Sequence, residues 1–283
     1  MATHFQTAYL KRDVFLKQIK TIFAALAGAY LLACGALYFM QKGLLFPAQY
    51  AQTVPADWQP TAGDSASQAF INGNCGKLHV AFWQIKNAKG TLMMNHGNGE
   101  SLASINDYAY AFHNLGYNLM AWDYAGYGQS TDCWFSQAEL LDDAERAYQW
   151  LAAQEKSEKI FIFGYSLGSG VALSLAAKHQ QNPVFLVAAY DSLLNIAQQK
   201  MPPVVPVSLL MRYPMQTNVW VTDIKQPIFA MHGMQDQLIA PQHLQYLASE
   251  SQTKIKVEWV KNAGHADDAL FLYRNQWLKK LLP

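Results

Sequence analysis

The chain has 283 residues, of which 51% are hydrophobic and only 14% charged, with a formal net charge of +1. Such a chain folds around a core rather than staying disordered. So small a charge, with no basic patch interleaved with aromatics, sets nucleic acid aside as a partner.

The N-terminal segment, residues 1–20, is short and basic: Lys11, Arg12, Lys17 and Lys20 stand against one acid, Asp13. It is followed by TIFAALAGAYLLACGALYFM, Thr21 to Met40, which carries no charge. A helix of that length rises about 30 Å, the thickness of a bilayer core. The expectation is a membrane anchor helix over residues 21–42, followed by Lys42 and stopped by Pro47, with Tyr38, Phe39 and Phe46 at the interface. The stronger basic flank is N-terminal. The positive-inside rule therefore predicts a single-pass protein with a cytoplasmic N-terminus and an extracytoplasmic hydrophilic part, periplasmic if the source is bacterial. Three other readings compete. A cleaved signal peptide would need its small-residue site, Ala25-Leu26-Ala27, to come before most of the apolar run. LLAC, Leu31 to Cys34, resembles a lipobox, but apolar sequence continues well past the cysteine. A buried core helix is the third. Of the other cysteines, Cys75 and Cys133 could pair in an oxidising compartment or remain two free thiols.

Residues 43–66, rich in Pro, Ala, Gln and Asp, read as a linker to a domain over residues 67–283. There, apolar strand-like runs alternate with helical patterns. The runs are Gln68–Ile71, Leu78–Ile85, Thr91–Asn95, Tyr117–Trp122, Lys159–Phe163, Val184–Ala189, Pro227–Met231 and Lys254–Val260. The first two flank NGNCG, Asn72 to Gly76, a hairpin signal. Runs such as VFLVAA are apolar on both faces, as buried parallel strands must be. Helical spacing fills Ser136–Gln154, which opens on a capping serine, and also Leu167–Lys178 and Ala269–Leu282. This pattern predicts an α/β fold: a mostly parallel eight-stranded sheet covered by helices on both faces.

One corner carries the chemistry. IFIFGYSLGSGVAL, Ile160 to Leu173, places Ser166 between an apolar strand and a small-residue helix, flanked by Gly164 and Gly168. The pattern is G-x-S-x-G in its required context, strand before and helix after. A turn this tight strains the serine backbone and leaves no room for side chains two residues away. It also presents the N–H of Leu167 at a helix N-terminus, where an oxyanion is stabilised. A nucleophilic serine needs a base, and the base needs an orienting acid. Asp236 follows the strand in PIFAMHGMQDQLIAP, and His265 follows the last strand in KVEWVKNAGHADD. Both are expected at the carboxyl edge of the sheet beside Ser166. Asp191 is an alternative acid. Asp267 and Asp268 are too near His265 in sequence to orient it, and His243 reads as solvated on a polar helix. A second oxyanion donor is expected in NHGNGES, Asn95 to Ser101, at the Asn98 N–H, with His96 and Gly97 supporting the loop. No Cys/His cluster points to a metal, and no motif points to a cofactor.

These motifs together resemble the α/β-hydrolase superfamily and, more narrowly, the membrane-anchored serine hydrolases of the BEM46 group. The resemblance runs from about Leu44 to the C-terminus. It is carried by YFMQKGLLFP, MNHGNGES, GYNLMAWDYAGYGQS, GYSLGSG, HGMQDQLIAP and NAGH. Ala125 stands where the family usually has Arg, and TDCWFSQAE replaces its usual approach to the next helix. The resemblance implies a catalytic triad of Ser166, Asp236 and His265. Between the sixth and seventh strands, Ser192 to Gln226 is apolar and proline-rich, a candidate wall for an acyl pocket. The expected activity is hydrolysis of a lipophilic ester or thioester. The alternatives are a catalytically silent scaffold that binds a partner, and a serine peptidase.

Overall fold

The computed structural model describes residues 2–156 and 159–282. Its centre is an eight-stranded sheet: β1 (Ser65–Asn72), β2 (Lys77–Gln84), β3 (Thr91–Asn95), β4 (Asn118–Trp122), β5 (Ile160–Tyr165), β6 (Val184–Val187), β7 (Ile228–Gly233) and β8 (Lys256–Val260). The spatial order is β1-β2-β4-β3-β5-β6-β7-β8. β1 and β2 pair antiparallel as the predicted hairpin, with Asn72 opposite Lys77, and β2 pairs antiparallel with β4. All remaining pairings are parallel.

Side chains alternate across the sheet with the period of a strand. Val80, Phe82, Met93, Met120, Trp122, Ile160 and Ile162 pack on one face. Ala81, Trp83, Leu92, Met94, Leu119, Phe161 and Phe163 pack on the other. The first face is covered by α3 (Gln137–Ala152), α4 (Leu167–Lys178) and α8 (Pro241–Glu250), the second by α2 (Leu102–His113) and α9 (Asp268–Leu281). α3 begins as predicted. Ser136 Oγ accepts the Glu139 N–H at 3.2 Å, and Glu139 Oε2 accepts the Ser136 N–H at 2.7 Å. α4 is buried from Leu167 to Ala176, which is why its sequence is small and apolar all round.

The N-terminal region differs from expectation in three ways. The helix α1 runs unbroken from Ala2 to Leu45, so the basic segment and the apolar run form one element; no Pro interrupts it before Pro47. The side chains of Lys11, Arg12 and Asp13 lie outside the described residues. Phe15–Tyr50 is long and apolar enough to cross a membrane. Second, residues 46–64 are not a free tether. Phe46 is buried with its ring 5.0 Å from Phe135 and 5.1 Å from Tyr213, and Val54 and Ala62 are buried too. Third, α1 itself touches the domain. Lys42 pairs with Asp132 at 2.5 Å, and Gln41 bridges to the segment after β6.

Cys75 and Cys133 form a disulfide, with Cα atoms 6.4 Å apart, so they are not free thiols. The bridge ties the β1–β2 hairpin to the approach of α3 across 58 residues, a loop whose closure removes about 4 kcal/mol of chain entropy from the unfolded state. The segment after β6 contains three short helices, α5 (Leu193–Lys200), α6 (Val207–Leu210) and α7 (Thr217–Trp220).

Candidate active site

Four parallel strands deliver the candidate residues to one edge of the sheet. Asn98 follows β3, Ser166 follows β5, Asp236 follows β7 and His265 follows β8. The Ser166 backbone sits at φ 51° and ψ −120°, in the region that side chains rarely adopt. The flanking glycines make that corner feasible. A Cβ on Gly164 would lie 2.6 Å from the Gly168 carbonyl oxygen, and one on Gly168 would lie 2.0 Å from the Asn95 carbonyl oxygen. Strand, elbow and helix are therefore packed backbone on backbone, and the serine is fixed as a projecting hydroxyl.

Ser166 Oγ lies 2.8 Å from His265 Nε2, and His265 Nδ1 lies 2.7 Å from Asp236 Oδ2. The carboxylate's other oxygen accepts the N–H groups of Leu238 at 2.9 Å and Ile239 at 2.8 Å. Burial opposes ionisation of Asp236, but hydrogen bonds from His232 and His265, the Ile239 N–H and the adjacent imidazole outweigh it. The carboxyl is held well below the usual range. The acid loop and the histidine loop are fastened together: Gln235 N–H donates to the Ala263 carbonyl and Met234 N–H to that of Val260, both at 2.9 Å. Tyr165 O–H donates to the His265 carbonyl at 3.0 Å, and its ring stacks on the imidazole. Asp267 serves its own loop, accepting the Gly264 N–H at 2.5 Å. The side chain of Asp268 lies outside the described residues.

Among the described residues, the N–H groups of Leu167 and Asn98 have no protein acceptor, and Asn98 occupies the loop that faces the elbow. That loop is braced from both ends. Tyr127 O–H donates to the Asn98 carbonyl at 2.9 Å and Tyr124 O–H to the His96 carbonyl at 2.7 Å. Glu100 Oε2 accepts the Gly97 N–H at 2.8 Å while Oε1 accepts Tyr108 O–H at 2.6 Å. Burial raises the Glu100 carboxyl, and its hydrogen bonds and Arg274 only partly offset this. Glu100 is a functional residue that the motifs do not single out; its signal in the sequence is a carboxylate three residues after the loop glycine, in position to accept its N–H.

His96 is buried and stacks on Tyr124 with ring centroids 4.0 Å apart. Its Nδ1–H donates to the Gly97 carbonyl at 2.7 Å, leaving Nε2 as an acceptor 3.7 Å from Asp123 Oδ1. His79 presents Nδ1 to the other Asp123 oxygen at 3.9 Å. Burial pushes Asp123 up to about 8 and His79 and His96 each down to about 4. A protonated carboxyl between two neutral imidazoles fits this geometry.

Two expectations need correction. His243 is not solvated. It is buried, and its Nδ1 lies 2.6 Å from Asp191 Oδ1. Asp191 is thereby committed to His243, to the Ser192 N–H at 2.7 Å and to Asn195 Nδ2 at 2.6 Å, so it does not orient His265. The polar look of α8 misled because His243 points inward, against an acid 52 residues away in sequence.

The sequence and the fold are similar to those of known proteins. A sequence model described as serine aminopeptidase, S33 matches residues 86–218. Human alpha/beta hydrolase domain-containing protein 17B is 27% identical over 235 residues, covering 80% of this chain and 78% of its own length. An esterase of Pyrococcus furiosus superposes with a TM-score of 0.65 at 19% identity, covering 82% of this chain and 94% of its own. The chain has the α/β-hydrolase fold. A soluble variant of the Saccharomyces cerevisiae monoglyceride lipase shares the same hydrolase fold, with a TM-score of 0.62 at 14% identity over 81% of this chain and 98% of that one.

Proposed function

We propose that this protein of the α/β-hydrolase fold is a membrane-anchored serine hydrolase that cleaves ester or thioester bonds of a lipophilic acyl substrate. The observation that carries the reading is the unbroken line from Asp236 through His265 to Ser166, ending on a serine in a strained backbone conformation.

In this reading Ser166 Oγ attacks the substrate carbonyl carbon while its proton passes to His265 Nε2. The carbonyl π pair moves onto oxygen, where the N–H groups of Leu167 and Asn98 stabilise the charge. Asp236 holds the imidazole tautomer and the imidazolium that forms. Collapse expels the alcohol or thiol, which takes the proton from Nε2, and leaves the acyl group on Ser166. Water repeats the sequence and releases the acid. No metal or cofactor is needed for any step. His232 supports Asp236, and Glu100 holds the oxyanion loop.

The membrane part of the reading rests on α1, an apolar helix joined directly to the domain, with residues 21–42 as the spanning part and the N-terminus in the cytoplasm. The acyl part is supported by the esterase and lipase among the similar structures. A peptidase reading is favoured by one observation, the aminopeptidase description of the matching sequence model. The full chain in detergent micelles separates the two. p-Nitrophenyl esters of increasing acyl length and an S-acyl thioester should turn over, favouring longer chains, with loss in Ser166→Ala. Faster cleavage of amino-acid p-nitroanilides would establish the peptidase, and no turnover of any substrate by a folded protein would indicate a silent scaffold.

A further inference from the structure

Between α1 and the segment after β6 lies an apolar cavity of about 240 Å³. Leu37 and Leu44 of α1 form one wall; Ile196, Ala197, Met201 and Met211 form the other. Neither Ser166 nor His265 lines it. Two features of its outer wall are unusual for a water-soluble surface. Met201 to Met211, MPPVVPVSLLM, contains no charge, and Val204 and Leu209 are 68% and 82% exposed. The backbone of the same stretch is largely satisfied from within. Val205 N–H donates to the Pro202 carbonyl, Leu209 and Leu210 N–H to that of Pro206, and Met211 N–H to that of Val207. Pro202, Pro203 and Pro206 have no N–H to satisfy. Internal satisfaction is what hydrocarbon demands of a backbone and what water does not.

Further polar groups of this segment are taken up by α1, and Ser208 Oγ accepts Gln198 Nε2 of α5 at 2.7 Å. Gln41 Nε2 donates to the Leu210 carbonyl at 2.7 Å and its Oε1 accepts the Arg212 N–H at 2.8 Å. Tyr30 O–H donates to the Val204 carbonyl at 2.8 Å. That last contact sets the depth. Tyr30 precedes Lys42 by about 18 Å along a helix rising about 1.5 Å per residue. Lys42 pairs with Asp132 of the hydrophilic domain and marks the interface. If α1 crosses a bilayer, Val204 lies beside the middle of its apolar run.

We infer that residues 201–211 enter the bilayer alongside α1, and that the cavity between them takes one acyl chain of a membrane lipid directly from the hydrocarbon. The inference deepens the proposed function and rests on its membrane reading; it names the acyl source and the part of the chain that receives it. The cavity walls are hydrocarbon, as an acyl chain requires. At its protein end Lys200, also on the lining, donates to the Gln237 carbonyl at 3.2 Å. Gln237 is the neighbour of Asp236, so the cavity and the acid loop share a contact.

The test uses the full chain as Ser166→Ala in phosphatidylcholine nanodiscs, so that no turnover is needed. A lysophosphatidylcholine with a diazirine in its acyl chain is photolysed and its adducts are mapped by peptide mass spectrometry. Adducts are expected on Leu37, Ile196, Ala197, Met201 or Met211, falling at least tenfold in Ala197→Trp, which fills the cavity from the domain, and in Leu44→Trp, which fills it from the helix. Adducts confined to the outward residues of α1, such as Leu31 and Phe39, would overturn the cavity. A nitroxide at Leu209→Cys in Cys34→Ala should be more accessible to oxygen than to a water-soluble nickel chelate; the reverse would overturn the insertion. Cavity adducts in a protein whose wild-type Ser166 proves inert would uphold the lipid site and defeat the hydrolase reading separately.

Discussion

Two aspartate–histidine pairs stand near the same edge of this sheet, and their first contacts are nearly identical. His265 Nδ1 meets Asp236 at 2.7 Å, and His243 Nδ1 meets Asp191 at 2.6 Å. In each the carboxylate also accepts backbone N–H groups. Burial opposes ionisation of both acids, and in both the histidine and other donors outweigh it, so both are held below the usual range. They differ at the far nitrogen. His265 Nε2 reaches a strained serine, and its side chain is 16% exposed against 4% for His243. His243 lies in α8 and fastens that helix to the start of α5. An Asp–His pair is a way of holding an imidazole; chemistry needs in addition a nucleophile on the free nitrogen and a path for substrate.

The comparison is broken most severely at the serine. Ser166→Ala and His265→Ala should each lower kcat/KM for an ester by at least about 10⁴-fold with little change in melting temperature, and Asp236→Asn should cost about as much by losing the tautomer. The second pair should behave in the opposite way. His243→Ala leaves the Asp191 carboxylate buried without its partner, at a cost of about 2–4 kcal/mol in denaturant unfolding, while turnover per folded molecule stays near wild type. A large catalytic loss in a stably folded His243→Ala would erase the distinction.

Smaller effects sharpen it. Glu100→Gln replaces one acceptor by a donor facing Gly97 N–H or Tyr108 O–H. By shifting the loop that carries Asn98 it should reduce kcat/KM by up to about tenfold and leave KM nearly unchanged. A last effect is on stability alone and concerns Asp123. Its carboxyl, raised to about 8 by burial, keeps its proton in the fold over a range where the unfolded chain, at about 3.9, has lost it. Its contribution to stability is therefore complete below about pH 4 and declines as pH rises towards 8. The melting temperature of the wild type should fall between pH 5 and 8 relative to Asp123→Asn and run parallel to it above; parallel curves throughout would mean an ionised Asp123.

Much of this was legible in the chain because it is local. Thr91–Asn95 and Leu167–Lys178 have the bounds that their patterns predict, since one is an apolar centre between Gly90 and the His96–Gly97 loop and the other is bounded by an elbow and His179. The candidate Ser166, Asp236 and His265 could be named because each follows a strand in a distinct short motif. What escaped is long-range. Nothing near His243 announces Asp191, nothing near Cys75 fixes Cys133, and the bond from Tyr30 to Val204 spans 174 residues. The linker reading of residues 43–66 failed for the same reason: Phe46 is buried by Phe135 and Tyr213, far along the chain.

The most direct test of the central claim is the reaction of the full chain with a fluorophosphonate, with the adduct located by peptide mass spectrometry in wild type, His265→Ala and His243→Ala. The account predicts an adduct on Ser166 in the wild type and in His243→Ala and its loss in His265→Ala. An unlabelled Ser166 in a wild-type sample that melts cooperatively, or equal labelling in His265→Ala, would contradict it.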